Sequence, residues 1–445
     1  MKMIKKSYVT LFFLAGSYFL QAQITTSEEL VKRCGTMEHM EYLKQQDPTL
    51  EKQLEDYDKV LDQWVAKHPS GDKSRATRII PIVFHIVYNK DEENISDAKV
   101  LSQLKAVNED FSRTNADTAL TPKEFKSVAG NPNIQFCLAT IDPSGKPTTG
   151  IDRVKTSATG FSTDDKIKYT SSGGADAWDV TKYYNIWIGN LTGGLLGYGE
   201  FPTSRASKTY GYVGLYRSTG TTSDVKAPYN KGRTTTHEMG HTFNLRHIWG
   251  DNGQCGGSDN VIDTPPQKGG SKSPAGSNFG KPVYPLNKGA CTRPDGAGGA
   301  NVTNVNGDMF MNYMDYSDDD VMNMFTKGQV ARMDAVMNNA PYNKLFLSNA
   351  CAVATNVSGL TNDLSFSIYP NPNEGNFNLI FSTSVKASYK IEINNALGQL
   401  VYKEELKDFN GEYSQALNVA KYGKGVYTVS ILNNQNQSVK KLMVY

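Results

Sequence analysis

The chain has 445 residues, enough for two or three domains. Lys and Arg total 47 against 45 Asp and Glu, so the net charge of +2 offers no field that would recruit nucleic acid or an anionic membrane. Charged residues at 21% and hydrophobic ones at 38% describe a globular chain, and five cysteines are too few for a disulfide-scaffold architecture.

Residues 1–22 read as an export signal. Lys2, Lys5 and Lys6 precede an apolar run from Tyr8 to Leu20, and small Ala22 closes it. The run is shorter than the roughly 20 apolar residues of a membrane span, so no transmembrane anchor is expected there. Export into an oxidising space makes disulfides permissible.

Residues 23–78 form a separate segment. Asp47-Pro48 offers an N-cap with Pro at the first helical position. Leu50, Leu54, Tyr57, Leu61 and Trp64 then recur at helical spacing. The basic, Gly/Pro-punctuated stretch from Pro69 to Arg75 is a joint suited to proteolysis. Helical segment, cuttable joint and new domain together give the layout of a zymogen.

Strand and helix signals mix over residues 79–347. Ile79–Tyr88, Ile134–Ile141 and Asn185–Ile188 read as strands. Ser96 caps a helix whose apolar face is Val100, Leu101, Leu104, Val107 and Phe111. Gly193–Gly197 reads as a loop, and the Gly/Pro-rich half after residue 250 as irregular. Residues 348–363 make a polar linker. Alternating runs from Phe377 onward then predict a small β-sandwich over 364–445.

The chemistry concentrates at His237-Glu238-Met239-Gly240-His241. Imidazoles at i and i+4 share one helix face and can bind one zinc ion, with Glu238 beside them as general base. His247 can reach the same ion only if the helix breaks near Asn244. Asn tolerates the left-handed backbone that such a turn needs. Three of the six histidines fall within these eleven residues. Three protein ligands leave the open position that catalysis requires. Cys255 and Cys291 flank the following loop, where a disulfide is the simplest assignment in an exported enzyme.

The extended motif resembles the metzincin zinc endopeptidases. Their Met-bearing turn is matched by Met311-Asn312-Tyr313-Met314-Asp315-Tyr316, with Met314 as floor and Tyr316 as weak ligand or oxyanion donor. Details resemble the pappalysin family and its cytophagalysin branch. The matching segments are Ser96–Leu101, Asn108–Phe111, Asn185–Ile188, Gly193–Tyr198, the zinc helix through Trp249-Gly250-Asp251, and Asp263-Thr264-Pro265. Metzincins at large carry Gly where this chain has Asn244.

The strand and helix pattern, open between α/β and α+β, is taken as an α+β fold with a helical pro-segment. The resemblance implies a two-subdomain zinc endopeptidase acting on proteins or peptides. It also implies the Cys255–Cys291 bridge and a calcium site at Asp259 with the carbonyls of Ile262 and Thr264. Cys34, in Arg33-Cys34-Gly35, resembles a cysteine switch that occupies the zinc's open position in the latent form. The alternative is a bridge from Cys34 to Cys137 or Cys351. Tyr369-Pro370-Asn371-Pro372, Asn394–Tyr402 and the Lys440–Tyr445 end resemble the sorting domain of type IX secretion, implying passage through the periplasm to the cell surface or medium. The rival class is a surface adhesion protein with an inert metal site, but such a protein would be expected to have lost Glu238.

Overall fold

The computed structural model describes residues 31–445 apart from 69–76, 252–254, 269–279, 295–300, 349, 352–365, 370 and 434–436. The export signal, the basic joint and most of the linker lie outside the described residues.

Two helices form the pro-segment, α1 (Thr36–Gln46) and α2 (Leu50–Lys67). The sequence pattern does not predict the first, and the second does not begin at Asp47-Pro48. Asp47 accepts the Thr49 N–H at 2.8 Å and the Thr49 hydroxyl at 2.7 Å, and Thr49 is the N-cap. That local Asx turn satisfies Asp47 before a helix can start on it. α2 buries Tyr57 and Leu61 against the catalytic domain, where Tyr57 meets the ring of Tyr342 edge-on at 5.7 Å.

The catalytic domain is built on a six-stranded sheet. Its strands are β1 (Arg78–Tyr88), β2 (Ile134–Leu138), β3 (Ile151–Lys155), β4 (Tyr184–Gly189), β5 (Gly197–Gly199) and β6 (Gly211–Leu215). The second is three residues shorter than its apolar run. β1 pairs with β2 along its first half, β3 along its second and β4 on its other side. These pairs and β4–β6 are parallel; only β5, on the edge beyond β6, runs antiparallel. Eight consecutive buried residues in β1 reflect a strand covered on both faces.

α3 (Asp97–Phe111) starts at Ser96, whose side chain accepts the Lys99 N–H at 3.2 Å. Val100, Leu104, Val107 and Phe111 join Ile82, Phe84 and Ile86 in the main core. α4 (Arg233–Thr242) packs into that core through Met239 and is buried throughout. The other sheet face carries Trp187, Tyr198 and Val213. After α4 the chain is largely irregular until α5 (Lys327–Asn338), whose Thr326 and Gln329 form a reciprocal capping box. The structure joins Cys255 to Cys291 across the loop after α4. It also joins Cys137 on β2 to Cys351, leaving Cys34 as the free thiol among the described residues. The alternative of a bridge from Cys34 therefore fails.

The C-terminal unit is antiparallel. β7 (Phe366–Tyr369), β8 (Asn376–Asn395), β9 (Leu400–Asn418), β10 (Gly425–Leu432) and β11 (Gln437–Val444) form one five-stranded sheet. Register shifts interrupt the β8–β9 pairing around Ala387, and the buried residues of all these strands make a single core. No helix among the described residues is long and apolar enough to cross a membrane.

Candidate active site

The zinc helix ends as the spacing requires. Asn244 has φ +63°, its N–H reaches the His241 carbonyl at 2.9 Å, and the Leu245 N–H reaches Gly240 at 3.0 Å. This pair of bonds is a Schellman closure with Asn in the left-handed position. The chain turns there and returns His247 to the other two rings. Ring centroids of His237, His241 and His247 lie 4.6–5.2 Å apart, and the Nε2 atoms of His237 and His241 are 3.2 Å apart.

Each imidazole is oriented from behind by its Nδ1. His237 faces the Tyr313 carbonyl at 2.7 Å, His241 the Leu245 carbonyl at 2.8 Å, and His247 the Asp251 carboxylate at 2.5 Å. The Nε2 atoms are thereby aimed at one point. Burial pushes His237 well below its ordinary value and His241 down to about 3, so both are neutral as metal ligation requires. Ligand atoms of Cys34, His237, His241 and His247 all lie within 4.8 Å of one another. The Nε2 of His247 and the Oε1 of Glu238 are buried without a hydrogen-bond partner. Orphaned polar atoms beside three converging imidazoles fit a tetrahedral divalent cation such as zinc.

The sequence pattern assigns Asp251 no role, although its i+4 spacing from His247 is visible there. Burial pushes its carboxyl up, but the charge and hydrogen bond of His247, together with His241 and Arg246, hold it below the ordinary value. Gly250 and Asp251 both have positive φ, which turns the chain back toward His247.

Met314 lies under the zinc helix. A Cβ on Gly240 would come within 2.4 Å of its sulfur, so a side chain there and this floor cannot coexist without rearrangement. The turn is fixed by Asn312, whose Oδ1 accepts the Met314 N–H at 2.9 Å and whose amide pairs reciprocally with Gln329. Tyr316 sits beside the centre, its ring 4.9 Å from that of His247 and 5.8 Å from that of His237.

The pro-segment occupies this cleft. The Lys32 N–H donates to Gly194 at 2.9 Å, the Leu196 N–H donates to Lys32 at 3.0 Å, and the Gly35 N–H donates to Gly197 at 2.8 Å. Gly193–Gly197, read as a loop, thus leads into edge strand β5, along which the pro-segment is laid. Cys34 Sγ is 3.4 Å from both His241 Nε2 and Glu238 Oε2. Burial, then Glu238, pushes its thiol well up; a divalent cation would reverse that balance.

Two contacts beside Cys34 carry no signal in the sequence. Thr36 Oγ1 donates to Glu238 Oε2 at 2.9 Å and accepts the Gly199 N–H at 2.8 Å. Arg33 is buried with its Nη2 3.2 Å from Asp319 Oδ1, and Asp319 also accepts the backbone N–H groups of Lys231 and Arg233. Burial pushes Glu238 up to about 7, with the Cys34 and Thr36 hydrogen bonds pulling the other way.

Asp259 is buried and bonded to the Thr264 hydroxyl at 2.8 and 2.9 Å. Arg293 Nη2 donates to the carbonyls of Val261 and Thr264 at 3.0 and 3.3 Å, and Arg293 lies 3.7 Å from Asp259. One carbonyl expected to hold calcium is therefore already engaged by a guanidinium. Ile262 is 87% exposed, and its carbonyl accepts no hydrogen bond from the described residues.

Residues 168–338 match the family described as pregnancy-associated plasma protein-A, a peptidase family. An extracellular metalloprotease of Arthroderma benhamiae is 30% identical over 257 residues, covering 57% of this chain and 75% of that relative. The chain belongs to the pappalysin-type zinc metalloendopeptidases. Another extracellular metalloprotease, from Arthroderma otae, is 38% identical over 152 residues, 34% of this chain and 48% of its own length. A promirolysin mutant of Tannerella forsythia superposes with a TM-score of 0.61 at 39% identity, covering 71% of this chain and 97% of that one. Mature mirolysin bound to a cleaved peptide gives 0.55 at 43%, with 62% and 97% covered. Residues 367–445 match the secretion system C-terminal sorting domain, so the metalloprotease is secreted or held at the cell surface.

Proposed function

We propose that the chain is the latent precursor of a secreted endopeptidase in which His237, His241 and His247 hold zinc and Glu238 is the general base. Zinc, when bound, supplies a Lewis acid that polarises the peptide carbonyl and acidifies water. Glu238 Oε1, buried and unpartnered, accepts a proton from the attacking water and passes it to the leaving amine. The Tyr316 phenol donates to the developing oxyanion. Met314 supports the helix from below. The observation that carries this reading is the convergence of three oriented imidazoles beside a carboxylate with one free oxygen.

Latency in this reading has two locks on the reacting groups. Cys34 would supply the fourth ligand to a bound metal, and Thr36 donates to Glu238 Oε2. Arg33 also suggests which peptides are cut. It neighbours Cys34 and inserts a cation into a pocket whose base, Asp319, is fully buried. A substrate with Arg or Lys flanking the scissile bond would place the same charge there. Calcium at Asp259 remains a further proposal and would require Arg293 to release the Thr264 carbonyl. Export through type IX machinery and removal of the tail complete the pathway.

Glu238→Ala is the test. The purified variant, freed of its pro-segment, should retain about one zinc per chain and lose cleavage of casein by a factor of at least ~100. Cleavage near the parent rate would overturn the mechanism.

A further inference from the structure

Behind the metal-binding turn lies a charged relay that reaches back to the pro-segment. Arg332, on α5, is only 2% exposed. Its Nε donates to the Asn244 side-chain oxygen at 2.6 Å and to the Asn244 carbonyl at 3.2 Å. Its Nη1 donates to Asp62 and its Nη2 to Asp58, each at 2.7 Å. The other oxygen of Asp58 takes Arg246, the residue before His247, at 2.6 Å.

Asn244 is the residue whose left-handed backbone brings His247 to the other ligands. Asn holds that conformation less readily than Gly, and a clasp on both its carbonyl and its amide oxygen compensates. The next residue, Leu245, supplies the carbonyl that orients His241. A slip at Asn244 would therefore disturb two ligands together. A guanidinium this deeply buried also needs counter-charge, and in the precursor α2 provides it.

We propose that Arg332 is a positioning residue for the metal-binding turn, and that Asp58 and Asp62 complete it, so that pro-segment docking and zinc affinity are linked. Linkage is reciprocal: whatever docking adds to zinc binding, zinc adds to docking. The pro-segment thus acts on the centre from both sides, through Cys34 in the cleft and through Arg332 from behind. The proposal rests on the zinc reading above.

The test uses the full-length precursor carrying Glu238→Ala, to prevent self-cleavage, and Cys34→Ala, to remove the thiol ligand. Zinc transfer to a chelating dye is timed, and the cobalt-substituted protein is examined for its visible ligand-field bands. Asp58→Asn with Asp62→Asn should release zinc about 10-fold faster, and Arg332→Met at least as fast. Both should shift the cobalt bands. Asn244→Gly, which adopts the turn freely, should lessen the effect of Arg332→Met, so the two effects do not add. Arg332→Lys, with one ammonium in place of a fork, should fall between Met and the parent. If Arg332→Met proves unfolded, the two Asp variants, at the edge of the relay, carry the test. Zinc release within twofold of the parent and unmoved cobalt bands, with only the melting temperature lowered, would overturn the proposal. A parent that binds no stoichiometric zinc would overturn the zinc reading itself, and this proposal with it.

Discussion

Replacing Arg33 by Ala in the isolated pro-segment should cripple its ability to inhibit the mature enzyme. The Arg33 and Asp319 side chains are 1% and 0% exposed, and the guanidinium also packs 5.2 Å from the centre of the Tyr229 ring. Deleting one partner of such a buried pair costs about 3–5 kcal/mol, because the other charge is left without compensation. The lower end applies here, since Nε and Nη1 of Arg33 have no partner and two backbone N–H groups still serve Asp319. About 3 kcal/mol corresponds to an inhibition constant on the order of 100-fold weaker. The assay is inhibition in trans of peptide cleavage by the mature enzyme, comparing peptides with Arg, Lys and Ala at position 33. Lys, which keeps charge but not the fork, should lie between. Asp319→Asn in the enzyme should weaken the Arg peptide and leave the Ala peptide nearly unchanged. An Ala peptide within threefold of the Arg peptide would refute both the energetic reasoning and the assignment of Asp319 as a cation pocket.

His39 should make the same inhibition pH-dependent. It is buried on α1, with its Nδ1 2.9 Å from the Thr163 carbonyl, its Nε2 3.6 Å from Asp165, and its ring 4.6 Å from that of Tyr198. Burial holds it below 6.5; Asp165 and Glu200 pull it up and Lys168 pushes it down, without reversing the direction. The free peptide then binds more protons than the docked one, so docking is at full strength above pH about 6.5 and weakens below it. The inhibition constant should rise from pH 7.5 to 5.5, and His39→Gln should remove that part of the slope; an identical slope would refute it. Calcium can be tested by melting: adding Ca2+ to chelator-treated mature enzyme should raise the melting temperature, and Asp259→Asn should abolish the gain. A gain that survives this substitution would exclude Asp259 as a ligand.

What the sequence determined by itself was what depends on short-range geometry. Helical period sets His237 and His241 on one face, a tolerance for left-handed backbone marks Asn244, and Ser96 announces a helix start, because each is decided within a turn or two of chain. Even there, the Asx turn at Asp47 overrode the expected helix start by a competing local bond. The resemblance to a known family added Cys34 and the Met turn, which no local rule derives. Tertiary structure alone decided which other distant groups meet. Arg33 meets Asp319 across 286 positions, Cys137 meets Cys351 across 214, and Arg332 meets Asn244 across 88. Such pairs leave no periodicity, since they arise only when the sheet and its flanking helices bring separate segments into one low-dielectric interior. There an unpaired charge is costly, and that cost selects the partner.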